Sequence, residues 1–167
     1  MFIRKFAAVG IAASLLLGTS ACGAVTPIAS LESYAPSDGV EASFANVKVR
    51  NFMYISDGEG NGALFGSVVN SGLASATLKI QYTDAETGEK RDEQLSLLAG
   101  QKRDIGFNGN TPLAIKLSGK PGQTTEVWVA EGSEAGVALD VPVLDGTLAE
   151  YKPLLEEIKN LGGASAE

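Results

Sequence analysis

The chain has 167 residues, 13 Lys+Arg, 20 Asp+Glu, one Cys, two Met and no His. Without histidine there is no imidazole base, no His-ligated metal and no Ser-His-Asp or Cys-His arrangement. One cysteine excludes an internal disulfide and a multi-cysteine zinc site. A net charge of −7 removes the basic face that a phosphate backbone demands, so no nucleic-acid partner is expected.

The N-terminus reads as an export signal. Arg4 and Lys5 make a short basic region, and residues 6–18 form an apolar run. That run is too short to span a bilayer, which takes about 20 residues, and it fits the hydrophobic region of a secretory signal. Small residues follow from Gly18 to Ala21, and the only cysteine, Cys22, comes directly after them. The segment resembles a bacterial lipobox, with Thr19 in place of the usual Leu three residues before the cysteine. Residues 1–21 are then a lipoprotein signal peptide, cleaved between Ala21 and Cys22, with Cys22 diacylated as the new N-terminus. The alternative is an ordinary signal peptide that leaves a free, oxidation-prone thiol. Two acyl chains anchor stably where one is marginal. The expected address is the extracytoplasmic side of the cell membrane, with the lipid on Cys22 as the membrane contact. Loss of Arg4 and Lys5 makes the remaining chain more acidic still, so the body is repelled by anionic headgroups.

Residues 22–40 are small, polar and proline-containing, and read as a tether. From Glu41 the hydrophobic period is near two. Val47, Val49, Asn51, Met53 and Ile55 alternate with neighbours, although Phe52 and Tyr54 blur the second half. Leu64, Gly66 and Val68 alternate with Phe65, Ser67 and Val69. Leu78, Ile80 and Tyr82 form a third set, Leu95 and Leu97 a fourth. Val127 and Val129 flank Trp128, and Val137, Leu139, Val141 and Val143 close the series. Turn chemistry separates these runs: Asp57 to Gly62, Asn70-Ser71-Gly72, Glu86-Thr87-Gly88, Asn108-Gly109-Asn110 and Gly119 to Gly122. The pattern predicts an all-β domain over 41–146, an immunoglobulin-like antiparallel β-sandwich of about seven strands. Pro142 cannot donate to a ladder, which places the last strand at an edge or in weak pairing.

Residues 147–167 are a tail of different character. A short helix is expected from Pro153, with Leu154, Leu155, Ile158 and Leu161 on one face and Gly162 as its stop. About two turns are marginal alone, so the helix either packs on its own domain or docks on a partner.

Candidate chemistry is sparse. Asp57, Glu59 and Asn61 alternate before Gly62 and mimic the opening of a calcium loop. The twelfth position is Val68, where a bidentate Glu is required, so the EF-hand match fails. A weaker calcium or solute site using the 57–62 loop and a distant acid remains as an alternative to a plain glycine-rich turn. Asp84 with Glu86, or Asp92 with Glu93, reads as solvated loop charge, and adjacent strand residues such as Asp92 and Glu93 face opposite ways, so neither pair points to acid/base chemistry. Trp128 is most simply a core or half-buried sheet residue or, if it faces outward with Phe52 or Tyr54 nearby, a partner anchor. Lys90, Arg91, Lys102 and Arg103 form a local basic spot if their strands are neighbours.

Ser37-Asp38-Gly39-Val40, Val49-Arg50-Asn51, the segment from Gly60 to Val69, Asn70 with Gly72, and Val141 to Leu148 followed by Tyr151 carry a likeness. In these the chain resembles the LpqE-like group of small actinobacterial lipoproteins. The resemblance implies an exported sandwich, immunoglobulin-like or copper-chaperone-like, and is poor for mechanism. Copper chaperones of similar fold use His and Met ligands. This chain has no His, and Met53 alone survives removal of the leader, so the copper ligands are missing. The resulting expectation is a membrane-anchored, non-enzymatic envelope module without a cofactor, whose partner is an envelope protein or polymer.

Overall fold

The computed structural model describes residues 36–164. The signal segment 1–21, the Ala21–Cys22 junction, the tether as far as residue 35 and the last three residues lie outside the described residues.

Eight strands run in chain order: β1 Val40–Ser43, β2 Val47–Ser56, β3 Gly62–Asn70, β4 Ala76–Thr83, β5 Lys90–Leu97, β6 Lys102–Ile105, β7 Thr124–Glu131 and β8 Val137–Leu144. One helix, α1, follows at Lys152–Ala164. The first sheet is ordered β1-β2-β3-β6 and the second β5-β4-β7-β8. Their inner faces share one core, with Val47, Val49, Phe52, Tyr54, Leu64 and Val68 from the first packed on Leu78, Ile80, Val127, Val129, Val141 and Val143 from the second. The all-β sandwich expectation therefore holds.

Two details differ from the expectation. Eight strands form where about seven were expected, because β1 and β6 are four-residue strands whose sequences, VEAS and KRDI, show no apolar alternation. Pairing is also not wholly antiparallel. β2 and β8 run parallel through Tyr54↔Val143 and Ile55↔Leu144, which joins the two sheets into one curled path. β8 otherwise pairs only with β7. The Val143 N–H donates to Gln123 O at 2.9 Å, toward β7. By strand alternation the missing N–H of Pro142 falls on the β2 side, one residue before the parallel pairing begins at Val143, so β8 lies between two neighbours and not at the expected edge.

The blurred pattern of β2 has a definite cause. The register against β3 shifts between Arg50 and Met53, and Asn51 sits at φ 55°. That bulge inserts an extra residue and reverses the facing of everything after it. Val47 and Val49 point into the core before the bulge, and Phe52 and Tyr54 do so after it. Met53 and Ile55 are turned outward instead. The Asn51 side chain also accepts a 2.9 Å hydrogen bond from the Gly39 N–H, so the chain just before β1 is fastened to the bulge.

The outward-turned residues are covered by α1. Met53, Ile55, Ala63 and Phe65 form a second cluster with Tyr151 and Ile158, flanked by Phe107, Leu144, Leu154 and Leu155. The helix is longer than expected and passes Gly162. It docks on its own domain because the bulge creates an apolar strip that needs cover. Tyr151 donates its hydroxyl to the Asp38 carboxylate, linking the helix start to the segment before β1.

Candidate functional site

The 57–62 loop is organised around its own aspartate. Asp57 accepts from the Glu59 N–H at 2.8 Å, the Asn61 N–H at 3.1 Å and the Asn61 amide at 2.7 Å. Ser56 Oγ accepts from the Gly58 N–H and donates to Asn61 O. Partial desolvation pushes the Asp57 carboxyl up, but these donors outweigh it and hold it below the usual range. Both carboxylate oxygens are thus engaged by the loop, Glu59 projects into solvent, and no distant acid joins them. Among the described residues no three of His, Cys, Asp and Glu converge as metal ligands.

The remaining low-pKa acids are engaged in the same manner. Asp84 caps the β4–β5 turn through the Thr87 and Glu86 N–H groups and pairs with Arg91 at 3.3 Å. Gly88 closes that turn at φ 72°, as its sequence predicts. Asp92 accepts from Gln81 and pairs with Lys79. Asp104 is held at about 2 by Lys102 first, then by Ser67 and Asn108. Glu131, on β7, reaches the β1–β2 turn. It accepts from the Asn46 N–H, the Asn46 amide and the Val47 N–H at 3.0, 2.9 and 3.2 Å. Burial raises its carboxyl, and these three donors bring it below the ordinary glutamate value. The expected basic spot does not form. Lys90 and Arg91 begin β5 in the second sheet, while Lys102 and Arg103 begin β6 in the first, at the other end of the sandwich.

Trp128 is half-buried on the outer face of the second sheet, while Phe52 and Tyr54 lie in the core and not beside it. It sits opposite Gln81 on β4 and Ala138 on β8. Lys79 Nζ lies 6.0 Å from its ring, and Gly136 backs it so closely that a Cβ there would fall 2.2 Å from Cζ2. Beside the indole, pairing of β4 with β7 stops at Tyr82↔Val127. Past that point β4 continues toward a different neighbour, with the Ala85 N–H donating to Lys116 O. The separation opens a polar cleft of about 290 Å³. Sequence reasoning did not find it, because its walls come from β4, the start of β5, the loop before β7 and β7 itself.

At the opposite end, Asn46 of the β1–β2 turn, the 73–75 loop and the 132–134 turn meet around a shallow depression of about 690 Å³, with Ser96 of β5 on its wall. Leu73 is fully exposed there, and Leu98 projects from the adjacent turn. Asn70, itself buried, ties the two loops by donating to Ala74 O at 2.8 Å and Leu98 O at 3.0 Å.

No protein-family model matches the chain, and no curated protein matches it. Among solved structures it is similar to PCuAC domains. An apo PmoF2 PCuAC domain is 17% identical, with 65% of this chain and 98% of that chain covered and a TM-score of 0.48. A copper-bound PCuAC domain from PmoF2 is 18% identical, with 64% and 98% covered and a TM-score of 0.45. An apo PCuAC domain from PmoF1 is 18% identical, with 62% and 98% covered and a TM-score of 0.44. The described residues do not fit a soft-ligand copper centre, which draws on His, Met and Cys. This chain has no His, and Met53 is packed beneath α1 in the outer cluster.

Proposed function

We propose that the chain is a lipid-anchored, non-enzymatic binding module on the extracytoplasmic side of the cell membrane, of the LpqE-like kind. The anchor is a diacylated Cys22, supported by the apolar run and small residues that precede it. One observation carries the non-enzymatic half. The carboxylates that general acid–base or metal chemistry would use are occupied in holding loops, and their lowered pKa values suit permanent acceptors, not proton carriers. What remains among the described residues is a sandwich with two concave surfaces, one of them lined by the unpaired Lys90 and Glu126.

The test is mass spectrometry of the N-terminal peptide from the membrane fraction, with Cys22→Ala alongside. A diacylglycerol-sized addition on Cys22, with release of the variant into the medium, is the expected result. An unmodified protein in the medium for both would overturn the anchored reading.

A further inference from the structure

We propose that the cleft beside Trp128 binds a neutral saccharide. This deepens the binding-module reading and rests on it, but not on the lipid anchor.

The fold engages some of its polar groups internally and leaves others unused. Asp57, Asp84, Asp92, Asp104 and Glu131 all serve internal hydrogen bonds. The cleft lining behaves differently. Glu126 and Lys90 are exposed and form no ion pair among the described residues. The hydroxyls of Thr83, Ser118 and Thr125, and the indole N–H of Trp128, likewise have no protein partner there. None is a buried unsatisfied atom, so each opens to solvent. Gln81 gives its amide hydrogen to Asp92 at 2.8 Å, which fixes the side chain and leaves its carbonyl oxygen free to accept. These donors and acceptors line one cleft, and Gln81 is held in place before any ligand arrives, which lowers the ordering cost of binding there.

The chemistry of that space selects the ligand class. One ammonium and one carboxylate stand on its walls, so the lining carries no net charge. An anionic ligand would meet Glu126 and, across the strand pair, Asp140. A cation would find one carboxylate where a stable site needs several oxygen ligands. An apolar ligand would strand hydroxyls and amides without partners, at a cost for each. A sugar ring meets all of these demands. Its hydroxyls both donate and accept, and its C–H face lies flat on an indole. The volume of about 290 Å³ is at the lower limit for small-molecule sites, and suits one or two rings of a longer chain.

The protein supplies its own reporter, since Trp128 is the only tryptophan. The full chain is titrated with mannotriose, xylotriose and chitotriose while Trp128 emission is followed. Ligand-detected NMR on the same samples gives a readout independent of the indole. At least one sugar is expected to shift the emission saturably in the millimolar range or below. Glu126→Ala and Lys90→Ala, both at exposed positions, should weaken that binding five-fold or more with thermal unfolding unchanged. No saturable change at about 10 mM sugar by either method overturns the assignment. So does a response that survives both substitutions, or one given only by an extended peptide. The anchored-module reading fails by a different result, in the membrane-fraction experiment on Cys22.

Discussion

Glu131 is the most demanding structural acid in the molecule, and its removal gives the sharpest test of the fold. Its carboxylate ties the end of β7 to the β1–β2 turn, across a sequence separation of more than eighty residues, by accepting from Asn46 twice and from Val47 once. The Val47 contact is buried and the two Asn46 contacts are partly so. Glu131→Ala leaves three donors without an acceptor. Each buried orphan costs roughly 1–3 kcal/mol, but water reaches Asn46, so a loss of about 3 kcal/mol is expected in total. Glu131→Gln retains one acceptor oxygen but places an NH2 against donors, and should cost about 2 kcal/mol. Urea unfolding followed by Trp128 emission measures both. The pH dependence adds a signature that a packing defect lacks. The folded carboxyl lies below the ordinary glutamate value, so its contribution is complete above the unfolded pKa of 4.5 and is lost as pH falls through the folded value. The gap between wild type and Glu131→Gln should therefore narrow as pH falls below the unfolded value of 4.5. A gap under about 0.5 kcal/mol at neutral pH, or one that does not change on acidification, would refute the clamp.

Tyr151 provides the alkaline counterpart. Desolvation first, and then the Asp38 carboxylate and Glu150, raise its hydroxyl to about 12. Its stabilisation is thus present below the unfolded pKa of 10.0 and lost as pH rises toward 12; Tyr151→Phe should cost about 1 kcal/mol at neutral pH and remove a late-ionising phenol from an ultraviolet titration. Gly136→Ala forces a Cβ to 2.2 Å from the Trp128 ring and 2.5 Å from Val129 O. It should destabilise by about 1–3 kcal/mol and shift Trp128 emission, as a denaturation curve and a spectrum will show. Ile158→Ala empties the buried centre of the α1 contact and should cost about 2–4 kcal/mol, with amide exchange accelerating first over Met53–Ile55 and Ala63–Phe65.

The fold class was legible because most strands obey a strict period of two. Leu78, Ile80 and Tyr82, and likewise Leu139, Val141 and Val143, enter the core as their spacing predicts. The failures have local causes. In β2 the alternation is broken by one left-handed residue, Asn51, and a pattern read with a single phase assigns Met53 and Ile55 to the wrong face. That error hides the apolar strip on which α1 packs, so sequence alone left the helix without a docking place. β6 left no periodic signal, because a charged four-residue segment pairs through its backbone, and backbone pairing leaves no side-chain pattern. The basic spot failed with it, since its assumption that two strands were neighbours had no support in periodicity. The cleft was illegible for a further reason. It exists where β4 and β7 part company, and the point at which a ladder ends depends on which loop competes for the next hydrogen bond.

The two outer faces of the sandwich have unequal roles. On the first sheet the bulge turns Met53 and Ile55 outward, and α1 covers them. That face is committed to stability. The second sheet carries Lys79, Gln81 and Trp128 outward, and its aromatic ring is only half-covered, by a glycine and a lysine. Gly136 matters here because any larger residue would collide with the indole, which fixes the ring's position on the sheet. A rigid strand position with one aromatic ring and unspent polar groups beside it is a better platform than a loop, since the geometry survives without a ligand. The same asymmetry explains why the acids are distributed as they are. Asp84 and Glu131 secure a turn and a strand end and are fully bonded; on the outer face of the second sheet Asp92 is bonded to Gln81 and Lys79, whereas Glu126 and Asp140 have no partner among the described residues. A domain that divides its polar groups in this way keeps its scaffold and its contact surface on separate residues, so substitutions at Lys90 and Glu126 can alter binding without altering the sandwich.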